Sequence, residues 1–178
     1  MAPIEFRPCV PEDVEKAVPL ILSSGPQAFS YVFANDRVKA TDFLRYAFQR
    51  TGGEFSFDNH VALLLDQEVV GIGSAFTSKQ ANGFLFRDFL HIVRFYQIRA
   101  LIVSIRGLRI EQIIKPPKKA EISIAHLGIS PQHRSKGLGQ QLIQFLMNRA
   151  PKEAASYFVL DVSEENPRAQ ALYERIGF

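Results

Sequence analysis

Cys9 is the chain's only cysteine, so no disulfide can form within it, and no Cys or His pair stands at the spacing of a zinc site. A stapled or metal-held fold is therefore not expected, and no metal ligands are assigned. No run approaches the ~18 uninterrupted apolar residues of a membrane span, and the first residues lack the basic segment and apolar stretch of a secretory leader. Neither export nor stable membrane insertion is expected, and the cytoplasm is the expected location. No internal repeat, low-complexity tract or linker divides the 178 residues, which are 47% hydrophobic and 22% charged. That is enough for one domain with a sizeable core.

The charge is small in sum and uneven in place. Against a formal total of +3, residues 82–119 carry eight basic side chains and only Asp88 and Glu111 as acids, so the remainder is net acidic. A local basic stretch of this kind reads as a solvated helix face, and no nucleic-acid partner is expected.

Residues 4–7 read as a short strand. Pro11, Glu12 and Asp13 suit the first turn of a helix running to about Ser24, with Pro19 as a kink or an early break. Gly25 and Pro26 end it, and Phe29, Tyr31 and Phe33 fall in an aromatic loop. A second helix spans 39–50 and stops at Gly52 and Gly53. Strands at 60–66 and 69–78 form a hairpin about Asp66, Gln67 and Glu68. Gly71 and Gly73 within it mark a bulge, a close backbone approach or a weakly packed strand. Residues 82–114 alternate arginines with apolar side chains and read as two amphipathic helices, broken near Gly107 and ended by Pro116 and Pro117.

A strand at 120–129, a helix at 139–150 and a strand at 157–161 make a βαβ unit. Between the first two stand His133, Arg134, Ser135, Lys136, Gly137, Leu138 and Gly139. The first backbone N–H groups of a helix lack partners and carry the positive end of its dipole, so phosphate oxygens can bond to them. Glycines let a ligand come close, and Arg134 and Lys136 add charge. A pyrophosphate is expected here. The last helix has Asn166 as its N-cap, Pro167 at its first position and Gly177 at its end, with Leu172 and Tyr173 on one face. Asp161, about twenty residues beyond Gly137, gives an NAD-type loop some support, but Leu142 stands where a third glycine belongs.

In order and spacing, the segment from Arg134 to Gly139, then Leu160, Asp161 and Val162, then Asn166, Pro167, Ala169, Leu172, Tyr173, Glu174, Gly177 and Phe178 resembles the GNAT superfamily of acyl-CoA-dependent N-acyltransferases. The match covers residues 121–178. It implies an α/β (α+β) fold, a mixed central sheet flanked by helices. The whole of 1–178 would be a single N-acetyltransferase domain, with 81–117 a helical insertion before the cofactor-binding strand and the family's C-terminal hairpin missing after Phe178. It also implies transfer of an acetyl group from acetyl-CoA to a primary amine, on a small molecule or a protein, by direct attack. The alternative is a non-catalytic acyl-CoA-binding sensor or interaction module.

By the same resemblance, the main chain at Leu127, Gly128 and Ile129 holds pantetheine, and the Ile129 N–H is an oxyanion donor. Arg134, Ser135, Lys136, Gly137, Leu138 and Gly139 hold the pyrophosphate, and Asn166 contacts the cofactor arm. Tyr173, a phenol protonated at neutral pH, is the general acid. Glu121 and His126 are candidate bases with opposite strand parity, so both cannot face the site in a regular strand; Glu121 is the expected one. The apolar faces of 82–114 are expected to be covered by the same domain, beside the acceptor site, or by a second copy. Adsorption to anionic lipid is the rival.

Overall fold

Val61–Leu65 is buried almost throughout and Glu68–Thr77 nearly so, as befits central strands with helices against both sheet faces. In the computed structural model, which describes residues 3–151 and 157–178, these are β2 (Val61–Leu65) and β3 (Glu68–Thr77). Asp66 and Gln67 join them, both at positive φ (50° and 64°), the backbone of a tight two-residue hairpin turn. β1 (Ile4–Pro8) pairs antiparallel with β2, and β4 (Glu121–Ile129) antiparallel with β3; β5 (Tyr157–Val159) runs parallel to β4. The strand order is β1-β2-β3-β4-β5, the expected mixed sheet. The parallel pair is connected through α6 (Leu138–Arg149), completing the βαβ unit.

One core unites α1 (Val14–Ser24), α2 (Pro26–Phe33), α3 (Ala40–Phe48), α4 (Ser78–Tyr96) and α5 (Ala100–Glu111), with Ile21, Phe43, Leu44 and Phe48 fully buried. A second core packs α6 and α7 (Pro167–Ile176) with sheet residues, Leu142 and Ile143 meeting Leu63 and Ile124. Burying such side chains stabilises the fold by ~1.5–3 kcal/mol each.

Several expectations change. α1 continues through Pro19. The aromatic loop is α2, because Pro26 at its first position starts a helix as readily as it ends one, and Phe29 and Phe33 then share a face at i,i+4. α4 begins at Ser78, where Thr77 and Gln80 cap each other, rather than at Asn82. Its break falls at Gln97 (φ 49°) and a 3-10 turn (Gln97–Arg99), while Gly107 stays inside α5; an interior glycine costs only about 1 kcal/mol. Among the described residues, the same domain buries only one face of these helices. Phe84, His91, Tyr96, Ala100 and Val103 face inward, while Phe86 is 66% and Leu101 71% exposed.

Candidate functional site

β4 and β5 part company early. Glu121, Ile122 and Ser123 pair with Tyr157, Phe158 and Val159, and beyond that no pairing to β5 continues, so β5 ends two residues before the expected Asp161. A groove lies beside the free edge of β4, lined by Leu127, Gly128 and Ile129 from the strand, Gly139, Leu142 and Ile143 from α6, and Leu172 and Tyr173 from α7. An unpaired strand edge presents backbone N–H and C=O groups that a strand partner would otherwise use, so an extended amide-bearing chain can lie there. Tyr173 is half-buried on the groove wall, and burial pushes its phenol above its ordinary pKa.

The loop that leads from β4 into α6, whose Gly139 lines the groove, is shaped by two left-handed residues, Ser135 (φ 60°) and Gly137 (φ 76°). Gly137 is the N-cap of α6 and its carbonyl accepts the Gln141 N–H, which leaves the amides of the first turn for a ligand. A run of turned amides makes an anion-binding concavity. Arg134, Ser135 and Lys136 are exposed around it, whereas the Leu138 side chain is buried in the core. Arg134 also donates from Nε to the Ile129 carbonyl at 3.0 Å, tying loop to strand. A Cβ on Gly137 would meet nothing within 4 Å, so glycine is there for its backbone conformation rather than for want of space. Asn166 Oδ1 accepts the Ala169 N–H at 3.2 Å and caps α7.

The structure does not bring Glu121 to the groove. It sits at the start of β4, where the two strands are still paired, and its carboxylate accepts the Lys118 N–H at 2.8 Å. Eight residues separate it from Ile129, roughly 25 Å of strand. The parity argument also fails, because β4 is not regular. Ile72 pairs with Gly128 and Ser74 with Ala125, so two residues of β4 oppose Gly73, and His126 in this bulge has a positive φ of 55°.

That bulge turns His126 to the sheet face away from α6, where its ring packs with those of Phe29 and Phe55. His126 Nε2 lies 3.3 Å from Glu54 Oε1, and its Nδ1 lies 3.0 Å from His60 Nε2. His60 Nδ1 in turn lies 2.8 Å from the Ser56 carbonyl oxygen. Burial, reinforced by the neighbouring His126, pushes His60 down to about 3. Glu54 and His60 were missed in the sequence because Gly52 and Gly53 read only as a helix stop. Nothing local announces that the turn after them meets a strand some seventy residues on.

Comparison with known proteins adds three findings. A model of the acetyltransferase (GNAT) family matches residues 28–178. N-acetyltransferase family 8 member 3 of Mus musculus is 32% identical over 74 residues, covering 40% of this chain and 33% of that protein, so the chain spans about a third of the length of this relative in the match. The fold is also similar to an N-acetyltransferase from Staphylococcus aureus Mu50 (TM-score 0.66, 14% identity, 98% of this chain and 90% of that one). A further similar fold is an aminoglycoside N-acetyltransferase in complex with CoA (TM-score 0.58, 13% identity, 100% and 89%).

Proposed function

Because the chain belongs to the GNAT acetyltransferase family, we propose that it is an acetyl-CoA-dependent N-acetyltransferase acting on a primary amine, borne by a small molecule or a protein, by direct attack. The observation that carries the reading is the groove along the free edge of β4, lined by Tyr173 and by Gly139 in the first turn of α6, next to that turn's open amides and to the exposed Arg134 and Lys136. Bound acetyl-CoA supplies a thioester carbonyl open to an amine. Leu127, Gly128 and Ile129 offer main-chain groups to its pantetheine arm, and the loop from Arg134 to Gly139 offers amides and charge to its pyrophosphate. Asn166 contacts the cofactor arm from the head of α7. Tyr173 holds a proton at its hydroxyl for the departing sulfur, and its raised pKa keeps that proton in place at neutral pH. Positioning supplies much of the rate.

Two measurements test this. Acetyl-CoA, and not NAD, raises the melting temperature, and an amine panel with acetyl-CoA gives steady thiol release. Binding without release from any amine would favour the non-catalytic sensor. The cytoplasm is the proposed location.

The exposed face of α4 and α5 supports a second copy as partner. α4 has 19 residues, so the two helices offer a patch about 28 Å long and ~20 Å wide. With side-chain relief this approaches the ~800 Å² that one partner gives to a standard interface.

A further inference from the structure

The chain of contacts running inward from Glu54 admits few proton arrangements. A carbonyl oxygen only accepts, so His60 donates to Ser56 from a protonated Nδ1. His60 is fully buried and held down to about 3, so it is neutral at physiological pH and its Nε2 carries a lone pair. That nitrogen must accept, and His126 Nδ1 therefore carries the proton between the two rings. With that proton fixed on Nδ1, neutral His126 has a bare Nε2 3.3 Å from Glu54 Oε1, so two basic atoms stand together and can take up one further proton. The pair binds that proton as a unit, as imidazolium with carboxylate or as imidazole with carboxylic acid.

Its position matters as much as its protonation. His126 directly precedes Leu127, which lines the groove, and the bulge sends its ring to the opposite sheet face, beside Phe29 of α2. The Glu54 side chain is 35% exposed and the His126 side chain 7%, so the carboxylate is the accessible end of a supported chain. A left-handed backbone at a histidine inside a strand is the kind of strain that surrounding structure must hold in place.

We propose that Glu54 and His126 together form the proton acceptor for the incoming amine, with Glu54 the catalytic residue that meets the ammonium and His60 the positioning residue that fixes the His126 tautomer. This rests on the acetyltransferase reading and deepens it. An N–H bond of the ammonium breaks, its proton comes to rest between Glu54 Oε1 and His126 Nε2, and the freed nitrogen lone pair forms the bond to the acyl carbon. The C–S bond breaks as the amide forms. The nitrogen's second proton balances the S–H bond of the released thiol, and the proton on the pair passes to water.

The test uses the full chain with the best amine from the panel and a second amine of much lower basicity, already neutral at pH 7. Glu54→Gln should keep the wild-type dissociation constant for acetyl-CoA and lower kcat/KM by about 10²-fold or more for the basic amine at pH 7. That deficit should shrink as pH rises toward the amine's own pKa, and should be small for the low-basicity amine. His126→Asn should show the same pattern more weakly. In ring 15N spectra His60 should stay neutral with its proton on Nδ1 in both wild type and Glu54→Gln. A deficit equal at every pH and for both amines, or an unaltered profile, overturns the proposal, as does a His60 protonated on Nε2 alone. Wild-type protein that binds acetyl-CoA but turns over no amine overturns the proposed function itself, and this inference with it.

Discussion

Tyr173 and Gly137 show what a single residue contributes. Tyr173→Phe removes only the hydroxyl from the groove wall, so turnover should fall by about 10²–10⁴-fold while acetyl-CoA affinity, measured by calorimetry, changes little. Since burial raises this phenol's pKa, the group that must be protonated stays so past the usual value near 10. The alkaline limb of the wild-type rate should therefore lie above pH 10. Gly137→Glu should weaken acetyl-CoA binding, because the residue must hold φ 76° and the new carboxylate would repel a phosphate. An unchanged dissociation constant would remove the loop from the site. Gly128 fails differently, since a Cβ there would overlap the Leu20 backbone. The positions of Gly137 in its loop and Tyr173 on its helix face were legible from local spacing, while the role expected of Tyr173 came from the family resemblance. His126 was legible as a candidate base on its strand, but Glu54 and His60 were not, since each becomes meaningful only through a contact between distant segments.

At the scale of elements, the departures share a cause: local signals compete and tertiary contacts decide. Gly107 looked like a break, yet α5 runs through it, while Gln97 turns the chain. The Thr77 and Gln80 box that starts α4 was readable, but the strand pattern up to Ser78 concealed it. α4 is tied to the turn carrying Glu54 by Asp88, whose two oxygens accept the Glu54 N–H at 3.1 and 3.0 Å. Burial, with the Glu54 charge adding, pushes the Asp88 carboxyl up to about 8. Between its ordinary pKa of about 3.9 and that value the folded chain holds a proton that the unfolded chain has lost. Asp88 thus favours folding most at low pH, and this contribution drains away as pH rises to about 8. Asp88→Asn keeps an oxygen to accept the N–H and cannot ionise. Its melting temperature should fall less than wild type between pH 5 and 8; parallel curves would show that Asp88 does not titrate there.

The whole molecule is a mixed sheet with a groove beside the free edge of β4 and, on the other sheet face, a chain of contacts from Glu54 through His126 to His60. Order of elements and the βαβ unit made that frame readable in the sequence; the direction in which α4 and α5 turn their apolar side chains was not, because both faces of these helices carry them. Phe86, Phe89, Leu101, Ile102 and Leu108 are exposed, and covering such residues stabilises an interface by ~1.5–3 kcal/mol each at full burial. A second copy packed there brings Arg87, Arg94 and Arg99, all exposed, toward their counterparts, and salt screens that repulsion. Self-association should therefore strengthen from low to moderate salt, whereas adsorption of the same basic, apolar face to anionic lipid should weaken. Sedimentation velocity across a salt series should show a dimer. Phe86→Glu and Leu101→Glu should each raise its dissociation constant by at least about tenfold, equivalent to ~1.4 kcal/mol. A monomer at every salt concentration, co-sedimenting with acidic vesicles and released by salt, would assign the face to a membrane surface instead.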